Sequence, residues 1–221
     1  MDMENPLERI KAQILDAALP DIVFDGWHER LISDAAAKCG VSRSDALLAL
    51  PNGVNDLLAY YFARGDERML TRLNELPYPE KIRTRITDAV RARIEVDEES
   101  KEVFRRAIAA LSLPSRASLA IRVNYKTVHA IWRWAGDTST DYNFYTKRAI
   151  LTGVLASTRL CWLADDSEAY EATWGFLDRR IDNVMSFEKT KARAVKMGTK
   201  ASDLIEDGLK ALSNLRYGTG H

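Results

Sequence analysis

The groups that could take a proton, attack a carbon or hold a metal are dispersed along this 221-residue chain. His28, His129 and His221 stand far apart, and no Glu-x-x-His pair of the kind that builds a carboxylate-bridged di-iron site in a helical bundle occurs. Cys39 and Cys161 form no Cys-x-x-Cys pair and sit in apolar neighbourhoods, as buried, reduced thiols do. There is no His-Glu-x-x-His run and no Gly-rich phosphate loop. The neighbouring carboxylates, Asp137 with Asp141 and Asp165 with Asp166, stand beside expected helix starts, where capping accounts for them. The expectation is a protein that is not an enzyme and carries no resident metal or cofactor.

What exceeds a capping explanation is the density of aromatic and polar groups in one stretch. Trp132, Trp134, Tyr142, Phe144 and Tyr145 lie close to Asp137, Asp141, Asn143, Lys147 and Arg148. Aromatics with a few charges make up an interface hot spot, although a packed corner would use the same residue types. Beyond them, Ile150, Leu151, Val154, Leu155 and Trp162, then Trp174, Phe176, Leu177, Ile181, Val184 and Met185, supply more apolar bulk than one helical seam requires. Most of these must be core, and some are expected to line an apolar cavity with few polar anchors.

The elements that must position these residues are helices. Leu7, Ile10, Ile14 and Ala17 recur at helical spacing, and the pattern predicts a helix from about Pro6 to Leu19, halted by Pro20. Leu31, Ile32, Ala35, Ala36 and Cys39 end at Gly40, with Ser42 or Ser44 available to cap the next helix, so the order is helix, tight turn, helix. Asn55 to about Leu76 resumes the period, and Pro77 and Pro79 mark a boundary. Longer segments follow at Ile82–Val96, Glu98–Leu111, Ser115–Trp134, Ser139–Leu163 and Ser167 to about Ala194, with no sustained period-two alternation. The fold class is all-α. The expected divisions are a helix-turn-helix-like subdomain over 1–76, a helical lipid-binding and dimerisation domain over 77–194, and a hinge with an amphipathic helix over 195–221.

The stretch AAAKCGVSRSDALLALPNGVNDLLAYYF resembles the helix-turn-helix of the TetR family over about Ile10 to Phe62. In that family the helix after the turn enters the major groove of DNA, so its outer positions must meet phosphates and base edges. Between Val41 and Tyr60, Arg43 is the only base against Asp45 and Asp56, and Asn55 stands where such proteins commonly carry a lysine. The expectation is therefore a TetR-like helical bundle without DNA; a transcription regulator with an apolar effector is the alternative reading.

The segment IWRWAGDTSTDYNFYTKRAILTGVLASTRLCWLADDSEAYEATWGFLDRRIDNVMSFEK, together with ILDAALPDIVFDGWHERLISDAA, closely resembles the coenzyme Q nine family of ubiquinone biosynthesis. The resemblance implies a homodimeric accessory protein with a TetR-like fold, an apolar cavity for isoprenoid lipid or quinone intermediates, and a C-terminal amphipathic helix that meets the membrane. It also implies binding to the di-iron demethoxyubiquinone hydroxylase. On that basis Trp132, Asp137, Asp141, Asn143, Phe144, Tyr145, Lys147 and Arg148 are expected to meet the partner. Leu151, Val154, Leu155, Trp162, Trp174, Leu177 and Ile181 are expected to contact lipid.

The last segment fits a membrane surface by its own chemistry. Lys189–Lys200 contains five bases and no acid, and Gly198 interrupts it as a hinge. From Lys200 a helical wheel gathers Leu204, Ile205, Leu209, Leu212 and Leu215 on one side, with Asp203, Glu206, Asp207 and Lys210 opposite. Such a helix packs on a bundle or lies in a membrane interface, and its place beyond a basic linker favours the membrane. No apolar stretch reaches the roughly 20 residues of a bilayer span; the longest, Ile150 to Leu163, is interrupted by Arg159. The N-terminus shows neither a signal nor a transit pattern, which reads as a cytoplasmic protein peripheral to a bacterial inner membrane, or as a trimmed mitochondrial form on the matrix side. The whole-chain charge is zero, 32 bases against 32 acids, but Met1–Glu75 carries eight bases and thirteen acids. The half shaped like a DNA reader is thus the acidic one, which phosphates repel.

Overall fold

The computed structural model describes residues 5–138 and 142–184, and all regular structure among them is helical. Residues up to Leu177 form one compact unit, and the chain from Asp178 on belongs to a second. Helix α1 (Pro6–Asp25) starts where Asn5 Oδ1 accepts the Leu7 N–H at 3.1 Å, with Pro6 in the first turn, where its missing N–H leaves nothing unpaired. The expected halt before Pro20 is overturned, since the helix runs through Pro20 to Asp25. A proline inside a helix forfeits one backbone hydrogen bond. Here the turn beyond it buries Ile22, and that burial offsets the loss. The end comes at Gly26, where φ is +73° and the N–H returns to the Ile22 carbonyl at 3.0 Å.

Helices α2 (Arg30–Lys38) and α3 (Arg43–Ala49) both lie against α1. Between them Gly40 takes φ +71°, which lets the Val41 N–H reach the Ala36 carbonyl at 2.9 Å. Ser42 then caps α3 by accepting the Asp45 N–H at 3.1 Å. The helix, turn, helix order read from Gly40 and Ser42 is what the chain forms.

Helix α4 (Val54–Asn74) is the spine of the unit and packs on α5 (Ile82–Glu95) and α7 (Ala117–Trp134). Helix α6 (Lys101–Leu111) closes against α1 and α7, and α8 (Tyr142–Leu163) lies along α7 and touches α5. A last helix, α9, is described over 171–184. Aromatic rings run in series through the interior: Trp27 to Tyr61 at 5.4 Å between centroids, Tyr61 to Phe62 at 5.5 Å, Phe62 to Phe104 at 6.0 Å, Phe104 to Trp162 at 5.6 Å, and Trp162 to Tyr170 at 6.1 Å. The tilted and edge-to-face contacts are the arrangement ring quadrupoles favour. They tie the helix-turn-helix end of the unit to α8.

Candidate functional site

The corner between α7 and α8 holds the residues expected to meet a partner, and the structure divides them into a buried clamp and an exposed rim. Asp137, with a side chain only 2% exposed, accepts from Lys147 Nζ at 2.8 Å and from Arg148 Nη1 at 3.0 Å. Arg148 also donates to the Phe144 carbonyl at 3.0 Å and lies 3.4 Å from the Phe144 ring centroid. Trp132 Nε1 donates to the Lys147 carbonyl at 3.2 Å, and the Lys147 ammonium sits 5.4 Å from the Trp132 ring. Cross-linking of this kind fixes the angle at which α8 leaves α7. On the rim, Tyr145 is 70% exposed, against the edge of Phe144. Asp141 and the side chain of Asn143 lie outside the described residues.

The same corner is braced from α5, from the α4–α5 connection and from within α7. Gly136 takes φ +86°, and a Cβ there would stand 3.3 Å from the Tyr78 hydroxyl and 3.4 Å from Arg85 Nη1. Arg85 donates to the Ala135 carbonyl at 3.0 Å and Tyr78 to the Trp134 carbonyl at 3.1 Å, so the last carbonyls of α7 are satisfied from the α4–α5 connection and α5. His129 accepts from Arg148 Nε at 3.3 Å and stacks on Tyr125. Burial first, then the charges of Arg148 and Arg133, press its pKa below the ordinary histidine value. The imidazole is therefore neutral at pH 7, as an acceptor must be. Ile121 and Tyr125, both exposed, continue outward from His129 at spacings of four.

Most of the residues expected to contact lipid are buried, Ile181 among them in the second unit. Leu151, Val154, Leu155, Trp162, Leu177 and Ile181 are buried, and Trp174 is half-buried, with its Nε1 on the Ala169 carbonyl at 2.9 Å and the Arg91 guanidinium 4.7 Å from its ring. The membrane-facing set, Leu204, Ile205, Leu209, Leu212 and Leu215, lies outside the described residues. No described helix is long and apolar enough to cross a membrane.

Next to the aromatic series is a buried polar cluster that the helical periodicity did not disclose. Arg93 donates to Asp66 from Nε at 2.8 Å and to Asp97 from Nη1 at 2.5 Å. Thr127 donates to Asp66 at 2.8 Å, and the Tyr61 hydroxyl donates to Asp97 at 3.1 Å. Gly65 makes the room, since a Cβ there would stand 2.6 Å from Arg93 Nη2. Burial opposes the Arg93 charge, but the carboxylates of Asp97 and Asp66 override it and its pKa is raised. The second guanidinium, Arg159, is pulled down to about 9 by burial and then by Arg93, so it too is charged at pH 7. The one signal of this cluster in the sequence is Arg159 itself, a lone charge inside the most apolar stretch.

Two of the neighbouring carboxylates, Asp137 and Asp165, are engaged. Asp137 holds its ion pairs, and Asp165 accepts from Ser167 N at 2.9 Å and Thr173 N at 2.8 Å as well as from both hydroxyls. Among the described residues no group of His, Cys, Asp and Glu is arranged to hold a metal ion. On the helix-turn-helix face, Leu47 and Leu48 of α3 are exposed, and Asn55 Oδ1 accepts from Arg116 Nε at 2.9 Å instead of standing free.

A helix-turn-helix unit set on a helical bundle defines a TetR-like all-α protein. The TetR transcriptional regulator from Nitrosomonas europaea ATCC 19718 has this fold, with a TM-score of 0.62 covering 79% of this chain and 97% of that one, at 21% identity. Within that class the sequence relationships are narrower. The COQ9 family model matches residues 117–188, the stretch from α7 through α8 and beyond. The rat mitochondrial ubiquinone biosynthesis protein COQ9 is 32% identical across 96% of this chain and 70% of its own length. The human protein of the same name is 30% identical across 96% and 68%, and that of Schizosaccharomyces pombe 24% across 91% and 80%. The chain belongs to the COQ9 family.

Proposed function

We propose that this protein is a non-catalytic accessory protein of ubiquinone biosynthesis. It binds isoprenoid quinone intermediates in its apolar interior, associates with a membrane surface through its C-terminal amphipathic segment, and presents substrate to the di-iron demethoxyubiquinone hydroxylase. The observation that carries this reading is the α7–α8 corner, where buried ion pairs hold an exposed aromatic rim directly at the start of the helix that bears Leu151 and Leu155. Rigid exposed aromatics over a desolvated clamp suit a protein partner. The names of the relatives support the pathway and a mitochondrial setting for the eukaryotic proteins; for a bacterial chain the matching place is the cytoplasmic side of the inner membrane. The protein acts as a homodimer, needs no cofactor of its own and leaves DNA unbound, since the outer side of α3 offers Leu47 and Leu48 with a single base, Arg43, and the first 75 residues are acidic.

The test is mass spectrometry of protein purified without detergent. Isoprenoid lipid is expected to co-purify. Clean apo-protein that also fails to take up added ubiquinone would overturn the reading, and salt-dependent retention of a palindromic duplex would favour the regulator instead.

A further inference from the structure

Leu151, Leu155, Arg159 and Trp162 follow one another along α8 at spacings of three and four, which places them on one helix face, and all are buried. Arg159 is 2% exposed, and its guanidinium carbon lies 5.8 Å from the Phe62 ring centroid and 5.4 Å from that of Phe104. Its Nη1 donates to Asn124 Oδ1 at 2.9 Å, whereas Nε and Nη2 have no acceptor. These nitrogens form the side edge of the guanidinium, a planar fork that suits two adjacent oxygens. A buried charged donor without an acceptor is destabilising, and the nearest carboxylates are already engaged by Arg93, Thr127 and Tyr61.

Charge balance narrows what the fork can take. Arg93 and Arg159 are matched by Asp66 and Asp97, so the cluster is neutral as it stands. An anionic head brought to Arg159 would leave a net buried negative charge, which is expensive in a low-dielectric interior. A neutral ring with oxygens on adjacent carbons would satisfy both donors and keep the balance, with Phe62 and Phe104 as aromatic neighbours.

We propose that Arg159 is the polar anchor of the apolar interior, its Nε and Nη2 donating to adjacent oxygens of a neutral quinone or phenol ring whose isoprenoid tail follows Leu151 and Leu155. This rests on the isoprenoid-binding reading above and adds how the ring end is recognised. Its test is retention of short-tail ubiquinone, squalene and geranylgeranyl phosphate by the full chain after gel filtration, for the parent, Arg159→Met and Arg159→Lys. The parent should prefer ubiquinone over squalene by roughly tenfold or more, the scale of a hydrogen bond to a charged donor. Arg159→Met should lose that preference while still retaining squalene, at a lowered thermal midpoint because Asp66 and Asp97 are then left with a single buried counter-charge. Arg159→Lys, which lacks the fork, should lie between them.

Parent-like preference in Arg159→Met overturns the anchor and leaves lipid binding standing; should that variant fail to fold, full preference in Arg159→Lys does the same. Better retention of the phosphate than of ubiquinone overturns the neutral-ring class. A parent that retains none of the three overturns the isoprenoid reading, and the anchor with it.

Discussion

Asp137 and Tyr145 occupy the same corner and contribute differently to it. Asp137 neutralises Arg148, whose side chain is 5% exposed, so truncating the carboxylate leaves a buried guanidinium short of its counter-charge. Breaking a buried pair from one side costs roughly 3–5 kcal/mol, and the partial exposure of Lys147 places Asp137→Ala at the lower end, about 3 kcal/mol in a urea titration. Tyr145 is 70% exposed, and surface substitutions of that kind stay within about 0.5 kcal/mol. Tyr145→Ala should therefore leave the urea midpoint in place while weakening capture of the di-iron hydroxylase, measured by biolayer interferometry, by tenfold or more, as roughly expected of an interface aromatic. Undiminished capture by Tyr145→Ala would remove this rim from the interface. An unchanged midpoint in Asp137→Ala would mean that the clamp does not hold the corner.

At the level of elements, the joint between α8 and α9 depends on one carboxylate. Hydrogen bonds from Ser167 and Thr173 hold the Asp165 carboxyl well below the usual carboxylate range. The unfolded chain titrates near the ordinary value of about 4. Because the folded pKa is the depressed one, the stabilisation is fully present above about pH 4 and is lost as the pH falls from there toward the folded value. Asp165→Asn should thus lower the thermal midpoint at pH 7, and the gap to the parent should narrow steadily as the pH falls below about 4. A gap that stays constant would assign the joint's stability to packing. Beside it, Ala169 and Tyr170 take φ of +49° and +57°, a conformation that residues with a Cβ seldom adopt. Nothing in the 3.6 period announces that turn, and the helix expected from Ser167 starts only at residue 171. What was legible was local: Gly40 and Ser42 disclosed the α2–α3 turn because a left-handed residue and a side-chain cap are choices made within a few residues. The Asp137–Arg148 pair and the Arg93 cluster were not legible, because each depends on how separate helices cross. Pro20 failed as a stop signal because burial of Ile22 lies outside local propensity.

For the whole molecule the informative quantity is the distribution of charge. The zero total divides into −5 over Met1–Glu75 and +5 over the remainder, and five of the bases stand together in Lys189–Lys200, just before the amphipathic segment. Partial burial of Leu204, Ile205, Leu209, Leu212 and Leu215 in an interface is worth on the order of 1 kcal/mol each. Each base near an anionic surface adds about 1 kcal/mol more. Their sum is enough for reversible attachment. The full chain should co-sediment with phosphatidylglycerol-containing vesicles, and a chain ending at Thr199 should stay in the supernatant with an unchanged thermal midpoint. Salt separates the two contributions: between roughly 0.1 and 1 M the screening length falls from about 10 to 3 Å. The basic linker's share should then fade while the apolar share persists, so attachment weakens without vanishing. Complete release at high salt would assign the attachment to the linker alone. Undiminished sedimentation of the shortened chain would place the membrane contact elsewhere, in which case the exposed Leu47 and Leu48 of α3 become the next surface to substitute.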